Sequence, residues 1–279
     1  MNEIKITERT LNIEKIVRSK FKNMPRFIIN YLKKILHEDD LNAAIFAMKQ
    51  YEGIDFATAT IKWFDCKVEI KHPERIPAKS RCLLASNHPL GGLDGVAIIS
   101  ETGKIRRDII FPVNDFLLAL PNLRSVFIPV NKVGGNAQNH SQLQDAFNSD
   151  NMLLYFPAGF VSRKISRKVI TDLQWKKTFI TKARETKRDI IPVFTDGQNS
   201  RFFYNFALWR KRLGIKVNIE MAYLVDEMYK QRGKTITLIV GKPIPYTVFD
   251  RRYKDNIWAA KVREHVYKLK DNPDAVFEV

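Results

Sequence analysis

Cys82-Leu83-Leu84-Ala85-Ser86-Asn87-His88-Pro89-Leu90-Gly91-Gly92-Leu93-Asp94-Gly95 is the stretch on which the reading of this chain turns. Its first four residues form a short apolar run, as a strand buried on both faces requires. Pro89, Gly91, Gly92 and Gly95 then break the pattern with more backbone punctuators than packing alone calls for. A strand ends there, and a histidine and an aspartate follow six residues apart. An ionised carboxylate can keep one imidazole nitrogen protonated and leave the other free to take a proton from a hydroxyl, which makes His88 and Asp94 a candidate oriented base. A plainer reading stands beside it. Asn-His-Pro opens turns, and Asp94 can cap a helix entered at Gly95-Val96-Ala97-Ile98-Ile99.

Outward from this stretch, short apolar runs alternate with longer polar or amphipathic ones. The runs predict strands at Val68–Ile70, Cys82–Ala85, Ile109–Val113, Val126–Val130, Met152–Phe156, Ile190–Phe194, Val217–Met221 and Ile236–Val240. Helix-length segments lie between several of them, at Gly95–Ser100, Ser141–Asn148 and Asp172–Thr186. This alternation predicts an α/β domain with a central, largely parallel sheet flanked by helices. In that class, sites gather in loops beyond the carboxyl ends of strands, where His88 falls.

The chain has 279 residues, 45% of them hydrophobic, enough for one large core. With 47 Lys and Arg against 30 Asp and Glu its formal charge is +17, which predicts attraction to polyanions: nucleic acid, an anionic membrane surface or an acidic carrier protein. Cys66 and Cys82 lack CxxC spacing and read as buried free thiols suited to a reducing cytoplasm. No apolar run reaches the length of about 18 residues needed to span a bilayer. The first residues, with Glu3, Lys5, Glu8 and Arg9, do not form a secretory signal. Any membrane contact is therefore expected to be peripheral. His37, His72, His140 and His265 have no neighbours at metal-ligand spacing, and no metal is expected.

Residues 1–66 read as an N-terminal amphipathic helical region and 67–279 as the α/β domain. Between Glu14 and Leu36, cations interleave with apolar residues, and Phe27, Tyr31 and Ile35 recur at four-residue intervals beside Ile28 and Leu32. Pro25 suits the start of a second helix. Such a helix can lie in a lipid interface or pack on its own core, and the two are not exclusive. Further helices are predicted at Asp40–Tyr51 and Phe56–Trp63.

Three more segments share the strand-then-loop plan. They are Ser125-Val126-Phe127-Ile128-Pro129-Val130-Asn131-Lys132, Met152-Leu153-Leu154-Tyr155-Phe156-Pro157-Ala158-Gly159-Phe160-Val161-Ser162-Arg163, and Ile190-Ile191-Pro192-Val193-Phe194. The ordered set Asn-His…Asp, Phe-Ile-Pro-Val, Phe-Pro-x-Gly and Ile-Pro-Val resembles the four sequence blocks of the glycerolipid and lysophospholipid acyltransferase superfamily. The resemblance runs from about Val68 to Pro245, including the closing Val240-Gly241-Lys242-Pro243-Ile244-Pro245.

It implies a glycerol-phosphate acyltransferase-like fold. It also implies transfer of a fatty acyl group from a thioester, acyl-CoA or acyl-carrier protein, to a hydroxyl of a lysolipid, with no cofactor beyond that co-substrate. By position His88 would be the base and Asp94 its orienting carboxylate. An alcohol attacking a thioester profits from concerted deprotonation, and amides of the loop holding Gly91, Gly92 and Gly95 would stabilise the tetrahedral oxyanion. Asn131, Lys132, Pro157, Gly159, Ser162 and Arg163 occupy the substrate-binding blocks.

Three departures from the family pattern stand out. Five residues separate His88 from Asp94 where four are usual, an excess that Gly91 and Gly92 can absorb in conformations closed to other side chains. Ala158 replaces the usual Glu, and Arg163 lies four residues beyond Gly159 rather than two. Asn131 or Lys132 stands where an arginine is common. Those arginines generally take the acceptor's phosphate, so their displacement argues against lysophosphatidate. The pattern is similar instead to the divergent bacterial haemolysin-like branch, which includes O-acyltransferases that complete ornithine and glycine lipids from their lyso forms. There Arg163 and Lys132 would face a carboxylate head group.

The segment Asp196–Tyr204 is open to two readings, a lining for an acyl channel or a core helix after a capped turn. The competing function is a non-catalytic basic protein that binds anionic lipid or nucleic acid. No nucleic-acid module is found and the cations are spread along the chain, which disfavours nucleic acid. The expected setting is cytoplasmic, peripheral on the inner face of the cytoplasmic membrane.

Overall fold

The computed structural model describes residues 10–114, 117–130, 137–166 and 169–279. Four helices come first: α1 (Ile13–Lys20), α2 (Arg26–Ile35), α3 (Glu38–Ala47) and α4 (Gly53–Trp63). The α/β part follows as β1 (Lys67–Lys71), β2 (Cys82–Ser86), α5 (Gly92–Thr102), β3 (Ile109–Val113), β4 (Phe127–Pro129), α6 (Ala137–Asn148) and β5 (Met152–Tyr155). A two-stranded hairpin, β6 (Arg163–Lys164) and β7 (Ile170–Thr171), precedes α7 (Thr178–Glu185) and β8 (Asp189–Asp196). The chain ends with α8 (Arg201–Arg212), α9 (Leu224–Tyr229), β9 (Thr235–Val240) and α10 (Asp255–Lys268).

Seven strands form one sheet in the order β1-β9-β8-β2-β5-β3-β4. All pairings are parallel except β8 with β9. The expected largely parallel sheet is therefore present. Five strands, β8, β2, β5, β3 and β4, point the same way, so the segments that follow them meet at one edge.

Both faces of the sheet are covered at its centre, which is why β2, β5 and most of β8 lack polar alternation, whereas the edge strand β1 alternates. Cys82, Leu84, Met152, Leu154, Ile191 and Val193 pack toward α4 and α5. Leu83, Ala85, Leu153, Ile190 and Phe194 pack toward α7 and α10. On the first face α5 is buried along its length from Leu93 to Thr102. Ile54, Phe56, Ala57 and Ile61 of α4 belong to that same core.

Two elements depart from the sequence reading. Val217–Met221 is not a strand; Ile219–Tyr223 forms a short 3-10 helix instead. Its alternation is real but inverted, since Val217 and Ile219 face outward while Glu220 is wholly buried. The helix expected over Asp172–Thr186 begins only at Thr178, because the Asp172 side chain is spent on loop contacts. The stripe on α2 faces largely outward, with Phe27 73% and Tyr31 49% exposed and Ile28, Leu32 and Ile35 half-buried, while Ile29, outside the stripe, is fully buried.

Candidate active site

Beyond Ser86, the last residue of β2, the chain enters the loop that carries His88. Asn87 fastens the start of this loop by imitating a strand residue. Its side-chain Nδ2 donates to Thr195 O at 2.9 Å, and Thr195 N donates back to its Oδ1 at 2.7 Å. The side chain thus continues the pairing of β2 with β8 one residue past the ladder.

His88 and Asp94 meet. Imidazole Nδ1 lies 3.0 Å from Asp94 Oδ2, the same oxygen that accepts from Leu90 N at 2.8 Å and Gly91 N at 3.1 Å. Asp94 is therefore both a helix-start cap and the imidazole's partner, so the two readings of this residue coexist in one geometry. The two amides fix the carboxylate, and an ionised carboxylate facing Nδ1 favours the tautomer in which Nδ1–H donates and Nε2 keeps its lone pair. Phe156, just past β5, stacks on the ring at 4.1 Å and 21°. His88 remains 18% exposed while Asp94 is fully buried. Burial raises the Asp94 carboxyl above its ordinary value, with the imidazole and the Leu90 amide pulling against it.

The extra residue between His88 and Asp94 is absorbed by Gly91 alone. Its φ of +76° is in the region open to glycine, whereas Gly92 is simply the first residue of α5. Gly95 is not in the loop either. It lies inside α5, where an added Cβ would come within 2.7 Å of Phe111. The three glycines thus divide the work into a bend, a helix start and a close approach. Gly91 spends its N–H on Asp94, and the amides of Gly92 and Leu93, the first two of α5, have no acceptor inside their own helix.

The second layer of the site was not legible in the sequence. Asp172, 2% exposed, accepts from Ser162 Oγ at 2.6 Å, from Trp175 Nε1 at 2.9 Å and from the backbone N of His88 at 3.2 Å. Ser162 N also donates to His88 O at 2.8 Å. Ser162 therefore faces Asp172 and supports the histidine loop from beneath. Pro157 is buried and accepts from Lys176 N, and Gly159 closes a turn onto Phe156 O with φ +66°. Asn131 and Lys132 lie outside the described residues.

Arg163 follows directly. Its guanidinium Nη2 donates to Glu220 Oε1 at 2.9 Å, and Arg210 Nε stands 2.7 Å from Glu220 Oε2. Glu220 is fully buried between these cations, while Arg163 Nη1 is buried without a hydrogen-bond partner. Arg163 and Arg210 border a cavity of about 550 Å³ whose walls include Phe160, Tyr204, Ala207 and Ile215. The segment after Asp196 proves to be a capped helix: Ser200 Oγ accepts from Phe203 N at 3.2 Å, and Tyr204 of that helix lines the cavity. Burial pushes the Tyr204 phenol up to about 12, so it stays neutral. Asn199 joins this wall to the histidine loop, donating from N to Tyr204 Oη and from Nδ2 to Pro89 O, both at 3.1 Å. Glu220 and Arg210 escaped the sequence reading because their partners lie far apart in the chain. Among the described residues, no three His, Cys, Asp or Glu side chains converge as a metal site.

Residues 11–276 match the family model described as acyltransferase. A lyso-glycine lipid O-acyltransferase of Phocaeicola vulgatus is 45% identical over 277 residues, covering 96% of this chain and 99% of that protein. A second protein of that name, from Bacteroides thetaiotaomicron, is 44% identical over 265 residues, or 93% and 97% of the two chains. The fold is similar to the crystal structure of the 1-acyl-sn-glycerophosphate (LPA) acyltransferase of Thermotoga maritima. There the TM-score is 0.51 at 16% identity, with 92% of this chain and 88% of that one covered. The resemblance carried by the four blocks is borne out, and the chain belongs to the acyltransferase family and is itself an acyltransferase.

Proposed function

We propose that the protein moves a fatty acyl group from a thioester, acyl-CoA or acyl-carrier protein, to the hydroxyl of a lysolipid of the lyso-glycine class. The observation that carries this reading is the 3.0 Å contact between His88 Nδ1 and Asp94 Oδ2, in a chain matching two lyso-glycine lipid O-acyltransferases over nearly its whole length. His88 Nε2 takes the acceptor's hydroxyl proton as its oxygen attacks the thioester carbonyl. The tetrahedral intermediate then collapses, the C–S bond breaks, and the imidazolium returns the proton to the departing thiolate. Asp94 stabilises the imidazolium, and the Gly92 amide at the start of α5 faces the developing oxyanion. No cofactor beyond the thioester co-substrate takes part.

Arg163, with Lys132 and Asn131 from the second block, takes the head-group carboxylate, for which the unpartnered Nη1 of Arg163 is suited. Pro157, Gly159 and Ser162 shape the loop that presents it. The charge of +17 holds the enzyme on the anionic inner face of the cytoplasmic membrane and draws in the phosphates of CoA or an acidic carrier.

The test is incubation with acyl-CoA or acyl-carrier protein and a panel of lysolipids, with products read by mass spectrometry. Diacylated glycine lipid is the expected product. Much faster acylation of lysophosphatidate than of any lyso-aminolipid would overturn the acceptor assignment, and no product from any acceptor would favour the non-catalytic, anion-binding reading.

A further inference from the structure

Between Asp196 and Glu220 the chain has no acidic residue but carries Arg201, Arg210, Lys211, Arg212 and Lys216. Arg210 is spent on Glu220. Among the described residues, Arg201, Lys211, Arg212 and Lys216 have no acidic partner. Interleaved with them are large apolar side chains in the open: Trp209 is 55% exposed, Leu213 55% and Val217 68%. Val217 also opens the segment whose alternation imitates a strand, and there the apolar side faces out.

The chain neighbours of these exposed residues, Leu208, Arg210, Gly214, Ile215 and Asn218, line the cavity described above. Ile165 and Leu173 line it as well, together with Lys216. Ile165 and Leu173 are themselves exposed, so apolar side chains of the cavity lining reach the surface. The surface continues through rings. Phe202 and Phe206 of α8 stack, both meet Tyr223 edge-on, and Tyr223 meets Tyr31 of α2.

We propose that residues 209–219 form a lipid-contacting ridge that seats the opening of the cavity on an anionic bilayer. Unpaired cations and exposed hydrocarbon on one strip match the two layers of such a surface, head-group phosphate above and acyl chain below, with Trp209 at the boundary. An acidic protein partner would satisfy the cations but leave Leu213, Val217 and Ile219 facing water. The ridge rests on the reading of the enzyme as one that acts on a lipid. It gives that enzyme a way to take an acceptor sideways from the bilayer.

The test uses the full chain and flotation with vesicles of phosphatidylcholine containing phosphatidylglycerol, compared with phosphatidylcholine alone. The double variant L213E/V217E is expected to bind the anionic vesicles about tenfold more weakly. The double variant I257E/V276E makes the same charge change at exposed positions elsewhere and is expected to bind like the parent. Emission from Trp209, read as the difference between parent and Trp209→Phe, should shift to the blue when anionic vesicles are added. Equal binding by both double variants, whether retained or lost, would overturn the ridge. So would loss of carrier-protein binding with vesicle binding intact. Vesicle binding that depends on Leu213 and Val217 in a protein without acyl transfer would leave the ridge standing and fell only the catalytic reading.

Discussion

Asp94 and Glu220 are both carboxylates with no exposed surface, and their surroundings give them opposite uses. Glu220 lies between the guanidiniums of Arg163 and Arg210, each within ion-pair distance of one of its oxygens. Asp94 faces two amides and an imidazole, the one side chain whose ordinary titration falls near neutrality. The first arrangement holds a wall of the cavity in place. The second can exchange a proton with a substrate. A buried carboxylate is thus informative through the partner that shares its burial, and less through the burial itself.

Mutations at the two sites should separate these uses. His88→Ala, the largest effect expected, should lower turnover by about a thousandfold, within the range for a lost general base, while the thermal unfolding midpoint hardly moves. Glu220→Gln should act first on stability, with a smaller loss of turnover through the displaced Arg163. Two buried guanidiniums left without their counter-charge cost about 3–5 kcal/mol of stability, measurable by denaturant titration. Gly91→Ala tests the bend that brings Asp94 to His88. At φ +76° an alanine is strained by about 1–3 kcal/mol, and the strain should appear as lost activity as well as lost stability.

Asp94→Asn gives the smallest change in stability and the sharpest comparison. Because the Asp94 carboxyl is raised by burial, the folded protein binds that proton more tightly than the unfolded chain does. The parent should therefore lose stability as pH rises from the ordinary carboxylate value through the raised one, and the uncharged Asn variant should lack this component. The unfolding midpoint of the variant minus that of the parent should increase with pH across this window. A flat difference would mean that the two amides and the imidazole fully offset the burial.

How much of this could be read beforehand follows from where each interaction lies in the chain. The sheet was legible because strands covered on both faces become continuous apolar runs, as at Leu83-Leu84 and Ile190-Ile191. His88 and Asp94 were legible because both belong to one loop, within reach of local reasoning. Asp172 was not, since its partners Ser162, Trp175 and His88 are joined only by folding and the residue has no pattern around it. Val217–Met221 misled for a different reason. Alternation reports that one side of a segment is apolar, and says nothing about whether that side faces the core. Proximity in sequence groups Gly92 and Gly95 with Gly91, although a helix start, a helix interior and a left-handed bend impose different demands on a glycine.

The paired hydrogen bonds of Asn87 with Thr195 bear on timing. They attach the histidine loop to the central strands, the part of an α/β fold that opens least often, so the amide of Thr195 should exchange with deuterated solvent only when the whole domain unfolds. If His88 is the base proposed above, anchoring of this kind spares it from waiting for a segment to order before each turnover. Slow steps in the cycle would then come from lipid entering and leaving, and the rate would follow the fluidity of the bilayer more closely than any rearrangement of the loop.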